Sequence, residues 1–161
     1  MHCDYLEFQN DERSHLILMI MCDFCALSPR QRDRILTTFY EHLEPGGAVL
    51  LDVYSMAAFD AFTETTRFEE NLLDGFWSAS KYFGFLRSFK YANDKVTLDK
   101  YTIVDAARAR TVYNWLQYFT PQSLTKEFAD CGFSLEEIYA DVAGTTYAPD
   151  KHEFAVVARK P

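Results

Sequence analysis

Two apolar runs divided by one amphipathic segment constrain this chain more than any other feature. Residues His15 to Cys22 (HLILMIMC) are apolar without alternation, and Leu16 to Met21 form six consecutive apolar residues. A strand that is apolar on both faces suits the interior of a parallel sheet covered by helices. Ser28-Pro29 then reads as an N-cap followed by proline in the first helical turn. Ile35, Leu36, Phe39, Tyr40 and Leu43 recur at helical spacing, and Pro45-Gly46-Gly47 stops that helix. Ala48 to Val53 (AVLLDV) is a second buried strand. The order strand, helix, turn, strand is a βαβ unit.

The remaining chain changes character. Ser55 to Phe76 is a mixed connection, helical in part. Tyr82 to Tyr91, Val96 to Val104 and Ala109 to Phe119 are rich in Tyr, Phe, Val and Thr and read as three strands. Asn93-Asp94 and Ala106 to Arg108 mark their turns, and the close spacing predicts an antiparallel meander. Thr120-Pro121 opens a further helix with an inner stripe of Leu124, Phe128 and Ala129, closed by Gly132 as a left-handed cap. Ser134 to Val142 and Glu153 to Arg159 are the last strands, joined by the turn from Gly144 to Pro149.

The chain of 161 residues suffices for one domain with a core. Its net charge of -8 gives no general attraction for nucleic acid or anionic lipid, so neither is expected as a partner. No run approaches the roughly 20 apolar residues of a membrane helix. The N-terminus lacks a basic region followed by an apolar stretch. Cys3, Cys22, Cys25 and Cys131 without an export signal are expected to be reduced thiols of a cytoplasmic protein. Cys22 and Cys25 form a single CxxC with no second pair at zinc-like spacing, and His2, His15, His42 and His152 do not cluster in sequence. The two thiols therefore read as core or pocket residues, with no metal expected. A CxxC redox centre is disfavoured because Ser28-Pro29 opens the helix too late.

Several of these pieces occur in a recognisable order: Asp4-Tyr5-Leu6, the strand Leu16 to Cys22, Leu43-Glu44-Pro45-Gly46-Gly47 leading into Ala48 to Asp52, Phe119-Thr120-Pro121-Gln122-Ser123-Leu124, Ala129-Asp130-Cys131-Gly132-Phe133, and Phe154 to Lys160. This order resembles the C-terminal half of the class I S-adenosylmethionine-dependent methyltransferases. The resemblance implies an α/β, Rossmann-like sheet of parallel strands with a terminal antiparallel hairpin. It makes residues 1–161 a single partial domain, with an inserted antiparallel meander over 77–119 as an acceptor-side lid. The family's glycine-rich turn and its ribose-binding acid would precede this chain. No G-x-G stands before His15, so the resemblance puts Met1 inside the family's third strand.

The resemblance also assigns roles. Asp4, Tyr5 and Leu6 match the adenine-binding edge, and Met21, Cys22, Asp23 and Phe24 match the strand end that faces the sulfonium. Trp77, Tyr82, Tyr113 and Trp115 are the acceptor-pocket candidates. The implied reaction is methyl transfer from S-adenosylmethionine to a small molecule, leaving S-adenosylhomocysteine. The absence of an Asn-Pro-Pro-Tyr type motif disfavours DNA adenine or glutamine acceptors. Positioning and a desolvated pocket supply most of the rate in such chemistry. Asp23, Tyr113 and Asp141 are the candidate bases where the nucleophile carries a proton. The alternative is a non-catalytic remnant or assembly module without cofactor affinity. In either case the strand Leu16 to Cys22 is left with one open, apolar edge. Such an edge predicts a homodimer or a covering N-terminus, since burying several aliphatic side chains is worth several kcal/mol at ~25 cal/mol per Å2.

Overall fold

The computed structural model describes residues 4–8 and 11–161. His2 and Cys3 lie outside the described residues. The chain divides into two compact units, Met1–Asp60 with Tyr118–Pro161, and Ala61–Gln117.

The first unit holds the βαβ element. Strand β1 (Ser14–Met19) leads through a short 3-10 turn at Asp23–Ala26 into helix α1 (Pro29–His42), then into β2 (Leu43–Tyr54). The start of α1 is encoded locally. Ser28 and Gln31 form a reciprocal capping box, and Pro29 occupies the first turn where its missing N–H costs nothing. At its other end, Nζ of Lys160 donates to the carbonyls of Tyr40 and Leu43 at 2.7 and 2.9 Å, satisfying groups that the helix leaves open. Pro45-Gly46-Gly47 does not form a separate turn. These residues belong to β2, where the register with β1 slips between the pairs Ser14/Leu43 and Leu16/Ala48.

The sheet order of this unit is β1-β2-β8-β7, with β7 Ser134–Tyr139 and β8 Glu153–Arg159. β1 runs parallel to β2, and the remaining pairs are antiparallel. Helix α2 (Met56–Ala61) follows β2. Helix α3 (Pro121–Asp130) precedes β7, with Thr120 and Ser123 as a second capping box and Gly132 at φ +88 beyond its end. The core is aromatic. Phe24 is fully buried, with its ring centroid 5.8 Å from that of Phe119 and 6.3 Å from that of Phe128.

Two expectations for this unit need correction. β1 is not covered on both faces: Ile17 and Met19 turn inward, while Leu16 and Leu18 are 54% and 56% exposed. The continuous apolar run reflects composition, and the pleat still sends alternate residues to opposite faces. Ala129 is exposed and lies off the inner stripe of α3, which is carried by Leu124 and Phe128.

The second unit is an antiparallel sheet in the order β3-β4-β5-β6: Thr66–Glu70, Tyr82–Tyr91, Val96–Asp105 and Ala109–Gln117. The meander has one strand more than its sequence suggests. β3 contains one large apolar residue, Phe68, and is held by its ladder to β4. One face of the sheet packs Leu72, Tyr82, Leu86 and Ile103 into a small core, with Trp77 and Tyr101 against it. Among the described residues no helix is long and apolar enough to cross a membrane.

Candidate functional site

The carboxyl end of the parallel pair β1/β2 is where a ligand belongs in such a sheet. The backbone there is unusual. Met21 and Cys22 both adopt left-handed conformations, at φ 72 and 57, immediately after β1. The turn alternates outward and inward: Met21 is 81% exposed, Cys22 buried, Asp23 exposed, Phe24 and Cys25 buried. Of the four candidate residues in this turn, Met21 and Asp23 therefore present side chains to solvent. Phe24 is packed in the core.

The second candidate segment packs against α1. Asp4 caps the 3-10 turn at Tyr5–Glu7, its Oδ1 accepting the Leu6 amide at 2.9 Å. Tyr5 is 42% exposed and Leu6 half-buried. Burial, then the carboxylates of Asp23 and Asp4, push the Tyr5 hydroxyl above its ordinary pKa.

In the inserted unit the four acceptor-side candidates do not form one group. Tyr82 is 1% exposed, and its hydroxyl donates to the Leu72 carbonyl. Trp77 packs near Tyr101 on that same side, with ring centroids 5.0 Å apart. Tyr113 and Trp115 lie on the opposite face of the sheet, 56% and 46% exposed. There Trp115 meets Tyr91 at 5.6 Å, and Nζ of Lys100 stands 6.0 Å from the Tyr113 ring. Register and pleat enforce the division: Tyr82 and Leu86 share a face with Tyr101 and Ile103, whereas Tyr113 and Trp115 pair with Lys100 and Leu98, which alternate to the other face. Asp141, the third candidate base, receives the amides of Ala143 and Thr145 at 2.9 and 3.2 Å. Hydrogen bonds from Thr145 are the largest influence holding its carboxyl below the usual range, which makes it a poorer base.

Two features at this end of the sheet escape sequence reading. The first is a convergence of Cys22, Asp52 and Glu153, from the ends of β1, β2 and β8. Their ligand-type atoms all lie within 4.8 Å of one another. The Cys22 amide donates to Oδ1 of Asp52 at 2.8 Å, and its thiol stands 3.7 Å from Oε2 of Glu153. These partners are 30 and 131 residues from Cys22 along the chain, so no spacing rule reveals them. The second is a cavity of about 410 Å3 between Ser55, Thr120, Gln122, Tyr147 and Phe154. It opens where β2 ends and α3 begins. The signal for it would have been the parallel bridge between Ser55 and Phe119, which is purely tertiary.

No family model matches the chain, and no curated protein matches it. Solved structures do. The CcbJ methyltransferase of Streptomyces caelestis superposes with a TM-score of 0.69 at 15% identity, covering 98% of this chain and 62% of its own. An S-adenosylmethionine-dependent methyltransferase of Clostridium acetobutylicum matches with a TM-score of 0.68 at 8% identity, over 98% and 62%. The sugar N-methyltransferase KedS8 of Streptoalloteichus sp. matches with a TM-score of 0.59 at 18% identity, over 98% and 61%. The chain thus has the fold of S-adenosylmethionine-dependent methyltransferases, and it spans about 62% of the length of those it matches.

Proposed function

We propose that this chain forms the acceptor side and adenine edge of a class I methyltransferase domain. Its reaction is transfer of a methyl group from S-adenosylmethionine to a small molecule. The observation that carries the reading is the shared fold over nearly the whole chain. The adenine edge fits in part. Tyr5 and Asp23 are both exposed, and Asp23 follows the carboxyl end of β1, where a cofactor would lie. Asp4 spends one carboxylate oxygen on its own turn, which leaves the other for an adenine amino group. No glycine precedes Gly46, so none of these residues corresponds to the turn that approaches the cofactor's methionine part.

The cofactor supplies an already activated methyl group. In this reading Asp23 and Tyr5 bind, and the cavity beside Ser55 and Tyr147 receives the acceptor. One fold neighbour is named for methylating a sugar nitrogen. An amine of a small polar molecule is therefore the first acceptor class to try, with Asp23 as the group that takes its proton. Tyr113 and Trp115, exposed on the inserted sheet, stay the acceptor-side candidates of that unit. Free Cys22, Cys25 and Cys131 are in keeping with a cytoplasmic protein.

Calorimetry with S-adenosylhomocysteine tests the reading. Weak binding, lost in Asp23→Ala, is expected. Sub-micromolar affinity would overturn the role given to the glycine turn, and unaltered binding in Asp23→Ala would overturn the cofactor role given to the strand end after β1.

A second reading rests on the position of β1, which among the described residues pairs only with β2 and stands at the edge of its sheet. Here the chain is an assembly module, and the β1 edge pairs with a second copy to give a homodimer.

A further inference from the structure

We propose that Cys22, Cys25, Asp52 and Glu153 form a site for a thiophilic divalent cation of the zinc class. The proposal goes beyond methyl transfer and stands whether or not the chain performs it.

The donor set is the first argument. The Cys22 thiol and two carboxylates converge within 4.8 Å of one another, and the buried Cys25 thiol follows on the short 3-10 turn that Cys22 caps. Two sulfurs with two oxygens make a set that zinc accepts in tetrahedral geometry. Ligand atoms around such an ion sit about 3.5 Å apart, given bonds of about 2.0–2.3 Å. The Cys22 sulfur and Oε2 of Glu153 already stand at 3.7 Å. Among Cys22, Asp52 and Glu153 the remaining contraction is about 1 Å, within reach of side-chain rotation, and Cys25 closes the set by rotating toward them.

Charge is the second argument. None of the ion pairs among the described residues involves Asp52 or Glu153. Two carboxylates facing a buried thiol with no cation partner repel one another unless a cation joins them. Rigidity is the third. β2 and β8 hold Asp52 opposite Ala155 and Tyr54 opposite Glu153 in an uninterrupted ladder, so the two carboxylate ligands sit on paired strands, while Cys22 and Cys25 come from the turn after β1. The Cys22 amide fixes Oδ1 of Asp52, leaving Oδ2 for an ion. The Tyr54 amide donates to the Cys25 sulfur at 3.2 Å. An N–H aimed at sulfur favours thiolate and orients it, as outer partners do at metal centres. Glu153 is exposed and gives the entry path, while Cys22 and Cys25 are almost fully enclosed. On binding, each thiol gives its proton to solvent and its lone pair to the metal.

The test uses the phosphine-reduced full chain titrated with Co(II), followed by Zn(II). We expect one cobalt per chain, a thiolate-to-cobalt charge-transfer band in the near ultraviolet, and displacement by zinc. The double variant Cys22→Ser, Cys25→Ser should lose the band while keeping its far-ultraviolet circular dichroism. Glu153→Gln should keep the band and bind cobalt about tenfold more weakly. Glu153 is exposed at a strand end, so that variant decides the matter even if the double variant does not fold. No band in the parent chain, a band that survives the double substitution, or unchanged affinity in Glu153→Gln overturns the proposal.

Discussion

Arg32 grips both carboxylate oxygens of Glu127, with Nε at 2.8 Å and Nη2 at 2.9 Å, and so ties α1 to α3 across 95 residues of sequence. Its Nη1 donates to the Leu27 carbonyl at 2.8 Å, and its guanidinium lies 5.2 Å from the Phe119 ring centroid. The Arg32 side chain is 5% exposed, and that of Glu127 is 32% exposed. Removing Glu127 would strand a buried cation. Glu127→Ala should therefore cost about 3 kcal/mol, and Glu127→Gln, which keeps one acceptor, should cost less. Urea denaturation followed by circular dichroism measures both. Equal stability of the alanine variant and the parent would sink the claim that this pair joins the helices.

Gly84 faces Leu72 at a distance only glycine permits. A Cβ at position 84 would stand 2.4 Å from the Leu72 Cβ and 2.8 Å from its Cδ2. Gly84→Ala should destabilise the inserted unit by about 1–3 kcal/mol through forced displacement of Leu72. Leu72→Ala should not rescue it, because the closest contact is to the Cβ that alanine retains. Both tryptophans, Trp77 and Trp115, lie in this unit, so fluorescence-detected denaturation reports on it. A wild-type midpoint for Gly84→Ala would show that the close approach is absent.

The ends of helices were legible in the sequence because they are decided by residues a few positions apart. Ser28-Pro29 with Gln31, Thr120-Pro121 with Ser123, and Gly132 each act within one turn. The βαβ order followed from its two apolar runs, and the turn residues near Asn93 and Ala106 set the meander. β3 was not legible, because Thr66–Glu70 becomes a strand only through Phe68 pairing with Phe85. Burial on β1 was misread because hydrophobicity records what could be covered, whereas Leu16 and Leu18 lack a covering element here. At the site, Asp4 to Leu6 and Met21 to Phe24 are assigned through resemblance alone. The approach of Asp52 and Glu153 to Cys22 comes from the pairing of β2 with β8 and the turn after β1, which no local spacing encodes.

Cys131 offers a prediction about pH. Burial, then the Asp33 carboxylate with Oδ1 3.7 Å from the sulfur, push its thiol up to about 11. Both causes disfavour the thiolate, which is the nucleophile. At pH 8 Cys131 should alkylate slowly with iodoacetamide, the rate climbing about tenfold per pH unit until about pH 11. Asp33→Asn removes the charge and should speed labelling at pH 8. Peptide mapping by mass spectrometry resolves Cys131 from the other thiols. A rate that levels off near pH 8 would contradict this account.

The open edge of β1 gives the last prediction. Leu16 and Leu18 project from one face of that strand, more than half exposed, and Ile20 beyond its end is 44% exposed. Among the described residues β1 pairs with β2 alone, so its other edge presents backbone donors and acceptors without a strand partner there, beside an apolar face. Natural edges of this kind are blunted by charge, and none of Leu16 to Met21 carries any. If the edge seeks a second copy, sedimentation equilibrium of the 161-residue chain should give a dimer. Leu18→Lys places a charge in the middle of the face and should return a monomer with unaltered circular dichroism, since Leu18 adds little to the core. A parent chain that stays monomeric at high micromolar concentration would sink the edge-pairing model. A dimer indifferent to Leu18→Lys would place the contact elsewhere, with the aromatic face around Phe68, Phe83 and Phe85 the next surface to probe.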